Sequence, residues 1–183
     1  MISHLTLHHS GIITEHNQFL AINSYHKRKG FPKSELGFHV GYHYVLDRDR
    51  QIHQARNDWE RGAHTVANGA DWNAIAIGIC IAGDFTHEEP QDWQIILLAK
   101  LVRRLQLLYN IPNENILLHR ELKATSCPGA DWRELANRVP VEEPTYLKIN
   151  QKRLMERLFS RLANKPQRVY ERALRRLNRV LIP

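Results

Sequence analysis

Apolar residues along this chain fall into short runs and helical stripes that define a sequence of strands and helices. Residues 2–9, ISHLTLHH, read as a short, mostly buried strand that ends at Ser10-Gly11. A helix is predicted from about Glu15 to Lys29, with Phe19, Leu20 and Ile22 on one side and Gly30 and Pro32 stopping it. Val40 to Leu46 is rich in strand formers. The polar turn Asp47–Arg50 follows and Gln51–Gln54 returns, which is a hairpin pattern. Residues 57–73 are polar, contain Gly62 and Gly69, and form a loop long enough to suggest a functional role. Ala74 to Ala82, AIAIGICIA, is apolar on both faces and suits a central strand. Gln91 to Tyr109 is the strongest helix, with Pro90 at its entry and an apolar stripe of Trp93, Ile96, Leu97, Leu101, Leu105 and Leu108. Ile116–Leu118 is a short strand that runs into His119. A loop through Cys127-Pro128-Gly129 then leads to a helix over 131–138.

This alternation describes one α/β domain over residues 1–140. A linker over 141–147 and a tail over 148–183 follow. The tail contains two helical stretches, broken at Asn164-Lys165-Pro166, with arginines opposite their apolar faces. The length of 183 residues, the hydrophobic share of 43% and the charged share of 25% exclude disordered and fibrous architectures. No run of about 18 apolar residues occurs, and the first residues do not resemble a signal peptide. Synthesis in the cytoplasm is therefore expected. Charge divides the chain sharply. Residues 148–183 hold eleven Lys/Arg and two Glu, a net +9, whereas the rest carries −2. Such a tail implies an anionic partner.

Two cysteines do not make a disulfide framework. Cys80, inside an apolar run, reads as a buried small hydrophobe. Cys127 reads differently. Together with His8-His9 at the end of the first strand and His119 at the end of a later one, it offers a three-ligand metal site. Tetrahedral zinc held by three protein ligands keeps its fourth position for water, lowers the pKa of that water to about 7 and polarises a carbonyl. Strand parity does not choose between His8 and His9. Cys127 acting as a thiol nucleophile with His119 is the competing chemistry.

The segments Leu7-His8-His9-Ser10, Val40-Gly41-Tyr42-His43-Tyr44, Asn73–Gly78 with Gly83-Asp84-Phe85, and His119–Gly129 (HRELKATSCPG) occur in this order. Together they resemble the zinc-dependent N-acetylmuramoyl-L-alanine amidase family, which includes the amidase-type phage lysozymes and the peptidoglycan recognition proteins. The resemblance spans roughly residues 2–138. It implies a mixed central β-sheet flanked by helices; the basic C-terminal helical hairpin that follows, read from its own pattern, lies outside the resemblance. It also implies Zn2+ held by His8, His119 and Cys127, with Tyr42 beside the metal-bound water. A polar residue two before the Cys assists in the family. Phage lysozymes often have Lys there, whereas this chain has Thr125, as the catalytic recognition proteins do. His43, His64 and Asn73 are substrate-binding candidates, Asn73 with a second role in organising the loop that enters the central strand.

The function so implied is hydrolysis of the amide between N-acetylmuramic acid and L-alanine in peptidoglycan, by a phage or prophage endolysin released through a holin. One alternative is a cytosolic amidase that recycles anhydromuropeptides, a group that usually has Asp in place of Cys127. Another is a peptidoglycan-binding module without catalysis, which commonly loses that Cys. The basic tail suits an anionic cell-envelope polymer or lipopolysaccharide, or else it docks on the domain through its apolar stripe. No nucleic-acid motif accompanies it, so no specific nucleic acid is expected, and nothing demands more than a monomer. His26, His39, His53 and His87 read as packing or surface residues, Tyr44 as core, and Trp59 and Trp72 as packing.

Overall fold

The apolar run over 74–82 becomes the middle of a sheet. In the computed structural model, which describes residues 2–67 and 69–140, it forms β4 (Ala76–Ile81), buried along its whole length. β1 (His4–His9) lies parallel to β4, with His8 opposite Cys80. β5 (Ile116–Leu118) is parallel to β1 on its other side. β2 (Tyr44–Leu46) is parallel to β4 on the opposite flank and pairs antiparallel with β3 (Ile52–Gln54). The five-stranded order is β3-β2-β4-β1-β5, the mixed sheet that the resemblance implied. Its parallel pairs require crossovers, and helices supply them.

The pleat sends alternate residues to opposite faces. Leu5 and Leu7 of β1 and Ile77, Ile79 and Ile81 of β4 enter one core, covered by α3 (Asp92–Tyr109) and α5 (Trp132–Arg138). On the opposite face, Cys80 and Val45 pack with Phe19 and Ile22 of α1 (Phe19–Arg28). Helices on both faces explain why β4 is apolar throughout.

Several boundaries differ from expectation, each for a tertiary reason. α1 starts at Phe19, not near Glu15. The buried Asp47 carboxylate, at the end of β2, accepts the Gln18 and Phe19 amides at 2.7 and 2.9 Å and so fixes the first turn from outside. Residues 40–43 do not join a ladder pair. The Gly41 amide donates to the His26 Nδ1 (3.0 Å) and the Gly41 carbonyl accepts from Ala63, so the strand begins only at Tyr44. The long loop contains a short helix, α2 (Trp72–Ile75), just before β4. Another, α4 (His119–Leu122), follows β5 directly, where a loop was expected. α3 enters as expected, with the Gln91 amide donating to the Gln94 side chain (3.1 Å) and Gln94 in turn donating to the Ala82 carbonyl (3.1 Å). The expected linker over 141–147 and basic tail over 148–183 lie outside the described residues. No helix among the described residues is long and apolar enough to cross a membrane.

Candidate metal centre

The adjacent strands β1 and β5 run in the same direction, so their carboxyl ends open on the same edge of the sheet. Ligands commonly gather at that edge in open α/β sheets. His8 sits at the end of β1, and His119 is the first residue of α4, straight after β5. Cys127 comes back to the same edge on the loop that follows α4. One ligand atom from each of His8, His119 and Cys127 lies within 4.8 Å of the other two.

Parity resolves the choice between the two adjacent histidines. Leu5 and Leu7 belong to the α3 core, so His9 leaves on their side and His8 on the other. The His9 Nδ1 accepts the Phe85 amide at 3.2 Å and lies 3.6 Å from an Asp84 carboxylate oxygen. The His9 backbone still serves the centre, because its amide donates to the Cys127 Sγ at 3.4 Å. His8 turns toward the cluster, with its Nδ1 3.9 Å from the Cys127 Sγ and its ring 4.4 Å from that of His119. Zinc bonds of about 2.1 Å to nitrogen and 2.3 Å to sulfur, at a tetrahedral angle, separate those two ligand atoms by about 3.6 Å. The His119 Nε2 is buried and has no hydrogen-bond partner among the described residues. A buried polar atom without a partner is costly unless a bound group satisfies it. Two imidazoles and a thiol whose ligand atoms converge fit zinc.

Electrostatics prepare the imidazoles but not the thiol. Burial, with help from the neighbouring His64, His119 and His9, holds His8 well below the ordinary imidazole range. Burial, with Lys123 and His9, lowers His119 to about 4. Both rings are therefore neutral at pH 7, with lone pairs available. Burial pushes the Cys127 thiol up to about 11, against the His9 amide and Arg120. A metal must therefore displace that proton as it binds.

Tyr42 stands beside His8, with ring centroids 5.1 Å apart. Burial and the Cys80 and Cys127 thiols raise its phenol well above 10, so it stays protonated. Its position depends on its neighbour Gly41, since a Cβ there would fall 2.5 Å from the Ala63 carbonyl oxygen. Arg56 holds the surrounding chain. It is 2% exposed and donates to the carbonyls of Val40 (2.7 Å), Pro32 (2.6 Å) and Arg61 (3.3 Å). Thr125 is exposed, and its hydroxyl oxygen accepts the Cys127 amide at 3.2 Å.

The three substrate-binding candidates are placed differently from one another. His43 is completely buried. Its Nδ1 accepts the Gly78 amide (3.0 Å) and its Nε2 donates to the Glu60 carbonyl (2.8 Å), so neither nitrogen is left for a substrate. Asn73 is likewise consumed by the loop. It accepts the amides of His64 (2.8 Å) and Thr65 (3.1 Å) and donates to the Thr65 carbonyl (2.6 Å). These bonds make both residues scaffold, in Asn73 the loop-organising role. His64 reaches the centre itself, with its Nδ1 3.1 Å from the His8 Nε2. Sequence reading missed Arg56 and the space that Gly62 and Gly78 leave for the His64 ring. The sole trace of the latter is a glycine interrupting an apolar strand.

A second group of possible ligands, Asp47, Asp49 and His53, also lies close together. Asp47 accepts three backbone amides, and Asp49 accepts the Gln51 amide and pairs with His53. The residues read as packing behave so: Tyr44 is buried in the core and His26 stacks on Phe31.

Comparison with known proteins places the fold and the family. Peptidoglycan recognition protein 1 of Bos taurus is 29% identical over 109 residues, which are 55% of this chain and 52% of that protein. The chain thus spans about half the length of the curated relatives it matches. Among solved structures, the endolysin N-acetylmuramoyl-L-alanine amidase LysCS from Clostridium intestinale URNW superposes with a TM-score of 0.61 at 28% identity, over 77% of this chain and 85% of that one. Drosophila PGRP-LB shares the fold at 22% identity with a TM-score of 0.60, over 76% of this chain and 81% of its own. The sequence profile of the N-acetylmuramoyl-L-alanine amidases matches residues 1–130, from β1 through the Cys127 loop. With most of the chain inside that match, and with the sheet of those enzymes, the protein belongs to the N-acetylmuramoyl-L-alanine amidase family.

Proposed function

We propose that the protein is a zinc-dependent amidase that cleaves the bond between N-acetylmuramic acid and L-alanine in peptidoglycan, acting as an endolysin. The observation that carries this reading is the meeting of His8, His119 and Cys127 at one sheet edge, with a buried His119 nitrogen that has no hydrogen-bond partner among the described residues. Membership of the amidase family and likeness to a solved endolysin amidase support it. Retention of Cys127 favours catalysis over binding alone.

When bound, zinc would polarise the scissile carbonyl and lower the pKa of water to about 7. The protein's residues do the rest. Tyr42 keeps its phenolic proton at neutral pH and can donate it in a hydrogen bond to the oxygen that gains charge. The Thr125 hydroxyl oxygen is engaged by the Cys127 amide, which leaves its own proton free to point outward as a second donor. Preorganised donors of this kind typically contribute about 3–4 kcal/mol each to the barrier. Arg56 and Gly41 hold Tyr42 in register and perform no chemistry. The eleven Lys/Arg of residues 148–183 support contact with an anionic envelope polymer or lipopolysaccharide, with the protein acting as a monomer.

The test is a digest of purified peptidoglycan with and without a zinc chelator, scored for new L-alanine amino termini and new reducing sugar ends. Chelator-sensitive release of L-alanine termini without reducing ends is expected, lost in Cys127→Ser and reduced about 100-fold or more in Tyr42→Phe. No release from intact wall by zinc-loaded protein would overturn the endolysin reading. Activity confined to soluble anhydromuropeptides would move it to the recycling role.

A further inference from the structure

His64 carries no chemistry of its own in the proposed reaction, yet the fold seats it closely. Glycines stand on two sides of its ring. A Cβ on Gly78 would fall 2.5 Å from its Cγ and Cδ2, and one on Gly62 would fall 2.5 Å from its Cδ2. Its backbone amide is held by the Asn73 side chain at 2.8 Å. Its Nε2 lies 3.3 Å from the Ala76 carbonyl oxygen of β4, and its Nδ1 lies 3.1 Å from the His8 Nε2.

These contacts have one consistent proton arrangement. A carbonyl oxygen only accepts, so the His64 Nε2 must carry a hydrogen. A neutral imidazole with its hydrogen on Nε2 presents its Nδ1 as an acceptor. The Thr65 hydroxyl, 2.9 Å away, is a rotor and can share that lone pair as a donor. The His8 Nε2 faces an acceptor and must itself carry a hydrogen. The remaining His8 nitrogen, Nδ1, is left as a bare lone pair. That is the nitrogen 3.9 Å from the Cys127 Sγ. Reversing the chain would set the His64 Nε2 lone pair against the Ala76 oxygen and put a proton on the His8 Nδ1, inside the metal cluster.

We propose that His64 is a positioning residue that fixes the His8 tautomer, relaying the polarity of the Ala76 carbonyl so that the His8 Nδ1 is ready for the metal before it arrives. The inference rests on the reading of His8, His119 and Cys127 as zinc ligands. It differs from a substrate contact, because His64 then acts through His8. Partners behind a metal-bound imidazole typically carry about 10–100-fold in metal affinity.

The experiment uses the full chain, stripped of metal. Long-range 1H–15N spectra of the zinc-free protein should show the His8 ring proton on Nε2. Zinc affinity is then measured by competition with a chromophoric chelator, and cobalt substitution reports the Cys127 thiolate through its charge-transfer band. His64→Phe keeps an aromatic ring, though a larger one, but removes the acceptor, and about 10–100-fold weaker zinc binding is expected. His64→Asn restores an acceptor near the Nδ1 position and should recover most of that loss. A proton on the His8 Nδ1 in the wild type overturns the proposal, and this result is available even if the variants do not fold. Wild-type zinc affinity in His64→Phe, with only KM for peptidoglycan fragments raised, also overturns it and makes His64 a substrate contact. Failure of the wild type to bind zinc, or a cobalt band unchanged in Cys127→Ser, would instead remove the metal reading beneath it.

Discussion

Gly78→Ala tests how tightly the second layer of the centre is packed. The new methyl would lie 2.5 Å from two His64 ring atoms, whereas ordinary contact begins near 3.4 Å, so the ring must retreat by about 0.9 Å. The ring cannot easily do so. Its Nδ1 is 3.1 Å from His8 and its Nε2 3.3 Å from the Ala76 oxygen, and a shift of that size takes either contact beyond hydrogen-bonding reach. Overpacking of a rigid interior typically costs about 1–3 kcal/mol. For a domain of this size that corresponds to a fall in Tm of roughly 3–12 °C. Thermal denaturation of the metal-free protein measures it. The companion is Gly78→Ala combined with His64→Ala. Removing the ring relieves the clash, so the double variant should lose at least about 1 kcal/mol less than the sum of the single variants. A Gly78→Ala protein within 1 °C of the parent, or strictly additive losses, would refute the claim that the ring is held immobile against β4.

Other consequences are independent of metal. Tyr44→Phe removes the hydroxyl that donates to the buried Asp58 carboxylate at 2.5 Å, leaving Tyr109 and Gln54 to satisfy it. A charge-assisted bond of this kind is worth about 1.5–3 kcal/mol, to be read from urea denaturation with zinc affinity unchanged. Asp47→Ala strips the acceptor from the Gln18 and Phe19 amides at the start of α1, and a loss of about 1–2 kcal/mol is expected in the same assay. His26 and His64 titrate near 4 and 3 in the folded metal-free protein, chiefly through burial, against 6.5 for a free imidazole. The unfolded state therefore binds more protons once pH falls below about 6.5, and stability must decline from there toward pH 4. Each proton taken up contributes a slope of roughly 1.4 kcal/mol per pH unit. Stability that is flat between pH 6.5 and 4 would contradict the burial of these rings.

The order of elements, the central strand and the long amphipathic helix are written in local patterns of apolar residues. These patterns survive because they record which faces meet a core. The candidate ligand group was also legible, since His8, His119 and Cys127 sit in segments whose order and spacing resemble a known family. What the sequence could not decide was anything set by contacts between distant segments. The choice of His8 over His9 depends on which face of β1 meets α3, because neighbours on a strand are chemically alike until one side is covered. The start of α1 depends on a carboxylate borrowed from β2. His43 and Asn73 look like site residues in one dimension, but only three dimensions reveal that backbone groups already occupy their polar atoms. The role of His64 depends on two glycines, a strand carbonyl and a histidine 56 residues away, brought together by the sheet. Local sequence determines what each residue can do chemically, and tertiary packing determines which of its atoms remain free to do it.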